Sequence, residues 1–463
     1  MRILLTHGYF IKEDEKEQKI MRPYPPLGIL YISAWLEKYG YDNEVFDSTF
    51  ETKASLEAYL LEYRPEVIGL YTNLMTKLNI IDIIKFIRSR SELENTVISL
   101  GGPDVRHNIT DYLSTGADVT VFGEGEQTML EIVKAVNEGV RKEFAHIDGV
   151  AFLSEEHGVI KTAERKKIKD INDLPLPNRK KINMQLYLDT WQEAHGQSAM
   201  TVSTQRGCPY TCKWCSTAVY GQSYRRRKPS NVAQELKLLK ETYKPDSIWF
   251  VDDVFTVSHK WLKEFRDEVI KQDALIPFEC ITRADRMSED VVKWLKEAGA
   301  FRIWIGAESG SQKVIDLMDR RVDVSTVRNM IHLTKKNGMQ AGTFIMLGYP
   351  GETEEDIVAT ANHLKDCDPD QFTITVAYPI KGTSLYAEVE AIQTEDLNWQ
   401  ETTDRDRDFQ RTYPRKYYEH AVRWIDNEVR RHQSFLRNEM LSVDSLKYIL
   451  KSQYFRMRMR YGK

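Results

Sequence analysis

Short apolar runs alternating with amphipathic stretches, twice over along the chain, confine this sequence to a wound α/β architecture. In the first 140 residues the runs lie at 2–6, 43–46, 67–71, 96–100 and 119–122, with helical patterning at 28–39 and 78–89. Short, largely apolar runs between helices read as strands buried on both faces, the mark of a parallel sheet. The expectation is a doubly wound, Rossmann-like domain over 1–140, with ligands at the carboxyl ends of its strands. Proline- and glycine-rich turns fall at those ends: Pro25-Pro26-Leu27-Gly28, Gly101-Gly102-Pro103 and Gly123-Glu124-Gly125-Glu126. The alternation resumes at 200 with a longer period. Strands are expected at 200–203, 247–251, 278–282, 301–305, 340–346 and 371–376, and helices at 232–242, 261–271, 289–298, 325–337 and 354–366. Six βα units are too few to close an eight-stranded barrel and fit a partial (β/α)6 barrel over 200–385, with its chemistry at the C-terminal strand ends.

Between these segments, 141–199 is charge-rich and proline-punctuated (Leu174-Pro175-Leu176-Pro177) and reads as a linker with room for a small hairpin. The 386–463 tail is charged, helical and aromatic, and reads as a packing extension. No internal repeat is found.

Lys+Arg 65 against Asp+Glu 69 gives a net charge of -4, which excludes the global basic excess of a dedicated nucleic-acid binder. No stretch approaches the ~20 apolar residues of a spanning helix, and the N-terminus has no signal-peptide apolar run. The cysteines number five, three of them within eight residues, which suits metal binding in a reducing cytoplasm better than a disulfide framework.

Those three carry the strongest signal: Arg206-Gly207-Cys208-Pro209-Tyr210-Thr211-Cys212-Lys213-Trp214-Cys215, just after the first strand of the second segment. A loop with three thiolates can serve three irons of a cubane cluster and leave the fourth open. A closed cluster normally takes four cysteines, and structural zinc four ligands. Neither Cys280 nor Cys367 is locally paired; the first reads as a small buried hydrophobe, the second as incidental at a helix end. His7, His107 and His195 read as surface or turn histidines.

Cys208-x3-Cys212-x2-Cys215, with an aromatic before the last cysteine, resembles the signature of the radical S-adenosylmethionine (radical SAM) family. The resemblance implies a 4Fe–4S cluster whose unique iron is chelated by S-adenosylmethionine, with Tyr210 and Trp214 beside the cosubstrate. Asp252 and Asp253 match the segment that holds the methionine amino group. Glu308 and Ser309 match the segment whose carboxylate holds the ribose hydroxyls. The stretch from Gly342 to Glu352, with Phe344 and Met346, is similar to the adenine-contacting strand. Arg283 is the candidate for the cosubstrate carboxylate. The bland alternatives are a helix cap, a solvated turn and a plain turn.

A doubly wound domain ahead of such a barrel, with Pro26, Leu27 and Gly28, Gly101, Gly102 and Pro103, and Gly123, Glu124, Gly125 and Glu126 at its strand ends, resembles the cobalamin-binding class. Small residues there let backbone approach a corrin and its nucleotide tail. The Asp-x-His-x-x-Gly motif for a lower axial imidazole is absent, which in this class implies cobalamin without a protein histidine beneath the cobalt; Tyr71, Thr72 and Asn73 are the candidates for that lower face. The alternative is a sheet that no longer binds cobalamin and only caps the barrel. The layout to about residue 385 is similar to the group of the anaerobic magnesium-protoporphyrin monomethyl ester cyclase and many carbon methylases.

The resemblance implies methyl transfer from methylcobalamin to an unactivated carbon, or to phosphinate phosphorus, of a small-molecule substrate after hydrogen abstraction by a 5′-deoxyadenosyl radical. An electron donor such as flavodoxin or ferredoxin is implied; no nucleic-acid or membrane partner is. The rivals are a cyclase-like oxidative outcome, RNA methylthiolation suggested by Arg225-Arg226-Arg227-Lys228, and a non-catalytic cobalamin or iron–sulfur sensor. That basic run is expected to form a solvated or phosphate-facing turn. No catalytic acid or base is singled out by the sequence.

Overall fold

Seven strands form the first sheet in the computed structural model, which describes residues 1–216, 219–394, 397–438 and 442–462. They are β1 (Ile3–His7), β2 (Glu44–Phe46), β3 (Val67–Tyr71), β4 (Val97–Gly101), β5 (Val119–Val121), β6 (Val150–Ser154) and β7 (Gly158–Lys161), in the order β2-β1-β3-β4-β5-β6-β7. The first five are parallel, the last two antiparallel. Alternate residues feed opposite cores. Ile3, Leu5, Val67, Val97 and Val119 pack on the helices Leu27–Lys38 and Gly125–Asn137. Leu4, Ile68, Leu70, Ile98 and Leu100 pack on Lys53–Tyr63 and Lys77–Arg88. Each such side chain contributes about 1.5–3 kcal/mol on burial, and only a sheet covered on both faces can use every position.

The 141–199 stretch is more than a connection. Its β6–β7 hairpin extends the sheet, and its helix Met184–His195 straps the N-terminal segment, with Trp191 Nε1 donating to the Pro23 carbonyl at 2.8 Å. His7 is a correction: it is 3% exposed, not a surface histidine. Its Nε2 pairs with Asp47 at 3.0 Å while its Nδ1 accepts from the Tyr9 amide, so both ring nitrogens are occupied.

The second sheet holds six parallel strands in the order β15-β14-β13-β12-β11-β8. These are β8 (Ala199–Val202), β11 (Ser247–Phe250), β12 (Phe278–Thr282), β13 (Ala300–Glu308), β14 (Gln340–Leu347) and β15 (Gln371–Val376), with a two-stranded ribbon of β9 (Gln205–Arg206) and β10 (Arg225–Arg226) inserted after β8. Met200, Ile248, Phe250, Phe278, Cys280, Ile303, Ile305 and Ala341 belong to the helix-covered core, leaving Trp249, Glu279, Trp304 and Phe344 on the opposite, concave face. This is the expected six-stranded partial barrel.

The tail ties the two sheets together. Tyr417, Tyr418 and Ile425 of the helix Arg415–Leu436 enter the barrel core. Trp399 meets Tyr112 of the first domain edge-on at 4.7 Å and takes the Lys77 ammonium over its ring at 4.3 Å. Residues 395–396, 439–441 and 463 of the expected helical tail lie outside the described residues. Among the described residues no helix is long and apolar enough to cross a membrane.

Candidate functional site

The cysteine loop leaves the barrel at the carboxyl end of β8 and is pinned by the β9–β10 ribbon. Gly207, at φ +82°, sits where a Cβ would lie 2.2 Å from Ser223 Oγ, so only glycine passes. Cys208 is buried, Cys212 half-buried and Cys215 exposed. Burial pushes the Cys208 thiol above its usual range. Two guanidiniums reach Cys212 Sγ, Arg283 Nη1 at 3.6 Å and Arg320 Nη1 at 3.7 Å. Among the described residues no three Cys, His, Asp or Glu side chains converge on one point as a single ion would require. A cubane cluster takes its thiolates on separate irons, and this donor set fits one.

Around this loop the expected cosubstrate residues fall into two groups. Asp253 lines the cavity beside Cys208, its carboxyl pushed up by burial and by Asp252. Glu308 takes a left-handed φ of +64° at the end of β13 and lies 3.5 Å from Arg320. Met346 and Trp214 pack against the same apolar cluster, and Arg283 lies over the Tyr210 ring at 4.0 Å. These lie within one neighbourhood of the three thiols. The second group is committed to the protein. Asp252 accepts from the Thr204 amide at 2.8 Å and the Gln205 amide at 3.1 Å, and bonds Thr204 Oγ1. Ser309 Oγ bonds Thr360 at 3.1 Å. Phe344 stacks on Trp304 at 4.9 Å in the barrel floor. Arg283 also spends donors on Asp285 at 2.9 Å and the Arg320 carbonyl at 2.8 Å. Arg320 itself was not foreseen; it sits in a Met-Asp-Arg-Arg stretch that reads as solvated surface.

The turn after β14 carries a titration. Glu352 is buried, and burial, reinforced by Asp356, raises its carboxyl to about 8. The folded protein therefore holds a proton that the unfolded chain releases near 4.3, so this group costs stability as pH rises from about 4.5 to 8. Glu352→Gln keeps an oxygen for the Gly348 amide and removes the titration. Its expected gain at pH 8 is on the order of 2–4 kcal/mol, vanishing by pH 5; thermal melts of both proteins at the two pH values check this.

Two cavities meet at the domain boundary. One, of about 470 Å³, opens at the ends of β1, β3, β4 and β5, where the strand order reverses, and is lined by Gly28, Gly69, Tyr71, Gly101 and Gly123 among others. Gly102, at φ +123°, packs against the Thr72 carbonyl where a Cβ would come within 2.0 Å. The second, of about 380 Å³, lies under the cysteine loop and includes Cys208 and Asp253. Leu27, Gly28, Pro103, Val219 and Tyr220 line both. A pocket of small residues on the first domain, opening toward the thiols, fits a corrinoid. Of the expected lower-face residues, Tyr71 and Asn73 line the first cavity. Asn73 Oδ1 also accepts the Met75 and Thr76 amides at 2.9 and 3.0 Å, and Thr72 is turned away onto Tyr112 at 3.2 Å.

Glu124 and Glu126 border this cavity but their carboxylates clasp the barrel. Arg206 Nη1 reaches Glu124 at 2.9 Å and Glu126 at 3.2 Å, all three residues being buried. Arg225 donates to both Glu124 oxygens and to the Ile168 carbonyl at 2.8 Å. Arg226 lies over the Trp261 ring at 3.4 Å, and Arg227 pairs with Glu235, which also holds Arg179 at 2.7 Å. The basic run is thus a set of internal bridges, correcting the expected solvated turn, and these three arginines form no open cationic face for RNA.

Comparison with known proteins agrees with this geometry. A radical SAM superfamily domain matches residues 202–364 and a B12-binding domain residues 19–133. An uncharacterized methyltransferase of Pyrococcus horikoshii is 27% identical over 369 residues, 78% of either chain. The anaerobic magnesium-protoporphyrin IX monomethyl ester cyclase of Rubrivivax gelatinosus is 23% identical over 400 residues, 84% of this chain and 70% of that one. Among solved structures, the cobalamin-dependent S-adenosylmethionine radical enzyme OxsB with aqua-cobalamin bound shares the fold, with TM-score 0.74 at 15% identity over 99% of this chain and 76% of that one. Fold and site together define an enzyme with a corrinoid domain docked on a radical-generating barrel. The chain carries a B12-binding domain ahead of a radical SAM superfamily domain, the layout of the cobalamin-dependent radical SAM enzymes, whose cofactors are a 4Fe–4S cluster, S-adenosylmethionine and cobalamin.

Proposed function

We propose that the protein is a methyltransferase acting on an unactivated carbon, or on phosphinate phosphorus, of a small-molecule substrate. When bound, the cofactors supply a methyl group and a 5′-deoxyadenosyl radical that removes a substrate hydrogen. The observation that carries this reading is the meeting of the two cavities, with Leu27, Gly28, Pro103, Val219 and Tyr220 common to both. A methyl donor in one and a radical source beside the other would face the same substrate.

The chain's own groups have distinct tasks in this reading. Cys208, Cys212 and Cys215 hold the cluster, and Arg283 and Arg320 offset the negative charge at Cys212. Asp253 accepts the cosubstrate ammonium, because Asp252 is spent on the Thr204 and Gln205 amides. Glu308 accepts the ribose hydroxyls. Ile171, Leu174, Leu176 and Val251 give the lower cavity apolar walls that keep water from a radical. Flavodoxin or ferredoxin in the cytoplasm is the proposed electron source.

Anaerobic purification from cobalamin-fed cells tests this. The expected content is about four iron and one cobalt per chain. On reduction with S-adenosylmethionine, both S-adenosylhomocysteine and 5′-deoxyadenosine should form. Iron without cobalt would remove the methyl donor; an oxidised, unmethylated product would move the chain to the cyclase-like outcome.

A further inference from the structure

We propose that Gln205 is a corrinoid-binding residue whose side-chain amide pairs with a primary amide on the rim of the corrin ring. The starting observation is an unpaid polar group. Gln205 is 5% exposed, and neither its Oε1 nor its Nε2 has a hydrogen-bond partner among the described residues. Burying an amide with both ends empty is uphill, and native proteins avoid it unless something else fills the site.

The backbone around Gln205 leaves no such ambiguity. Its amide donates to Asp252 at 3.1 Å, its carbonyl accepts from Ser203 Oγ at 3.1 Å, and the ribbon pairs it with Arg226. The side chain is therefore carried on a fixed strand, and the residue borders the cavity under the cysteine loop. That cavity shares Tyr220, Leu27 and Pro103 with the glycine-lined one in the first domain, so a ligand seated across both passes Gln205.

The chemistry of the vacant group selects among ligands. A primary amide offers donors and an acceptor side by side, and its matching partner is another primary amide, which satisfies both ends in one two-bond contact. The corrin ring carries such amides around its periphery. The methionyl end of S-adenosylmethionine carries an ammonium and a carboxylate instead, for which Asp253 and Arg283 are the complementary groups. The inference rests on cobalamin occupying the domain boundary and adds a residue from the barrel side, where the glycine motifs gave no signal.

Titration of hydroxocobalamin into apoprotein, followed by absorbance, tests it with Gln205→Leu. Loss of two hydrogen bonds should weaken binding about tenfold or more. Dicyanocobinamide, which lacks the nucleotide tail but keeps rim amides, should lose affinity by the same factor. The apo Q205L protein should melt at the same temperature or higher, because an unpaired amide has been replaced by an apolar side chain. Unchanged affinity would overturn the proposal, as would a loss confined to the tailed corrinoid. A lowered melting temperature or failure to fold would overturn it too, since an amide without a partner cannot be what holds the ribbon. Wild-type protein that binds neither corrinoid would sink the cobalamin reading itself, a result separable from a failure of Gln205 alone.

Discussion

Cys212→Ala is expected to abolish reductive cleavage of S-adenosylmethionine, with 5′-deoxyadenosine falling about a thousandfold or more, as when one member of an interdependent catalytic group is removed. Cys208→Ala and Cys215→Ala should behave alike, because in the proposed cluster each thiolate would hold a different iron and a cluster with only two protein ligands is not retained. Iron content should fall in parallel. Cys212 is the most informative position: its sulfur receives both Arg283 and Arg320, so its loss also takes one acceptor from each of two buried guanidiniums. Cys280→Ala and Cys367→Ala are the controls. Both residues are 0% exposed, Cys280 in the barrel core and Cys367 at a helix end, and should cost stability while leaving the iron in place. Anaerobic iron assay and product quantification decide the matter. Full 5′-deoxyadenosine yield from Cys212→Ala would sink the three-cysteine cluster, and zinc retained in place of iron would point to a structural site.

What was legible in the sequence followed from burial and from spacing. The strand Val67–Tyr71 is covered on both faces, so it carries no charged residue and stands out against the helices. The cysteine spacing is visible because a short loop must supply all three thiols itself. The β6–β7 hairpin was only half visible: it sits at the sheet edge, where Leu153 and Val159 face solvent and Gly158 and Lys161 dilute the pattern. The roles of single charges were not legible at all. Asp252 and Asp253 are adjacent in sequence, yet one is consumed by the backbone of Thr204 and Gln205 and the other borders the cavity. Arg225, Arg226 and Arg227 look like a solvated cluster until Glu124, Trp261 and Glu235 are brought to them from other elements. Such partners are chosen by tertiary packing over long separations, 82 residues for Arg206 and Glu124 and 101 for Arg225 and Glu124, and no local periodicity records them.

The bridge between the two domains yields the second large effect. Arg206→Ala should destabilise the protein by about 3–5 kcal/mol, the cost of leaving buried Glu126 without its counter-ion and Glu124 with Arg225 alone, and lower the unfolding midpoint by roughly 10 °C. Arg206 lies 7% exposed between the rings of Tyr31 and Tyr220, with Glu124 and Glu126 at 4% and 5%, so little water can replace it. The pH dependence has a definite sign. Burial alone would push the Glu124 carboxyl up, but Arg225, Arg206 and the Ile168 amide outweigh it and hold the group below the usual carboxylate range. A carboxylate with a depressed folded value contributes stability above its unfolded value near 4.3 and loses it as pH falls through the folded one. The Arg206→Ala deficit should therefore be complete from about pH 5 upward and shrink below about pH 4. A double variant, Arg206→Met with Glu126→Leu, should recover much of the loss, because it removes the stranded charge while Glu124 keeps Arg225. The single variant should also loosen the link between the helix that begins at Gly125 beside the corrinoid cavity and the strand that leads into Cys208, so cobalamin affinity and cluster retention should fall together. An Arg206→Ala protein within 1 kcal/mol of wild type across pH 4–8 would show that the clasp is screened and that the domains are held by the apolar tail contacts instead.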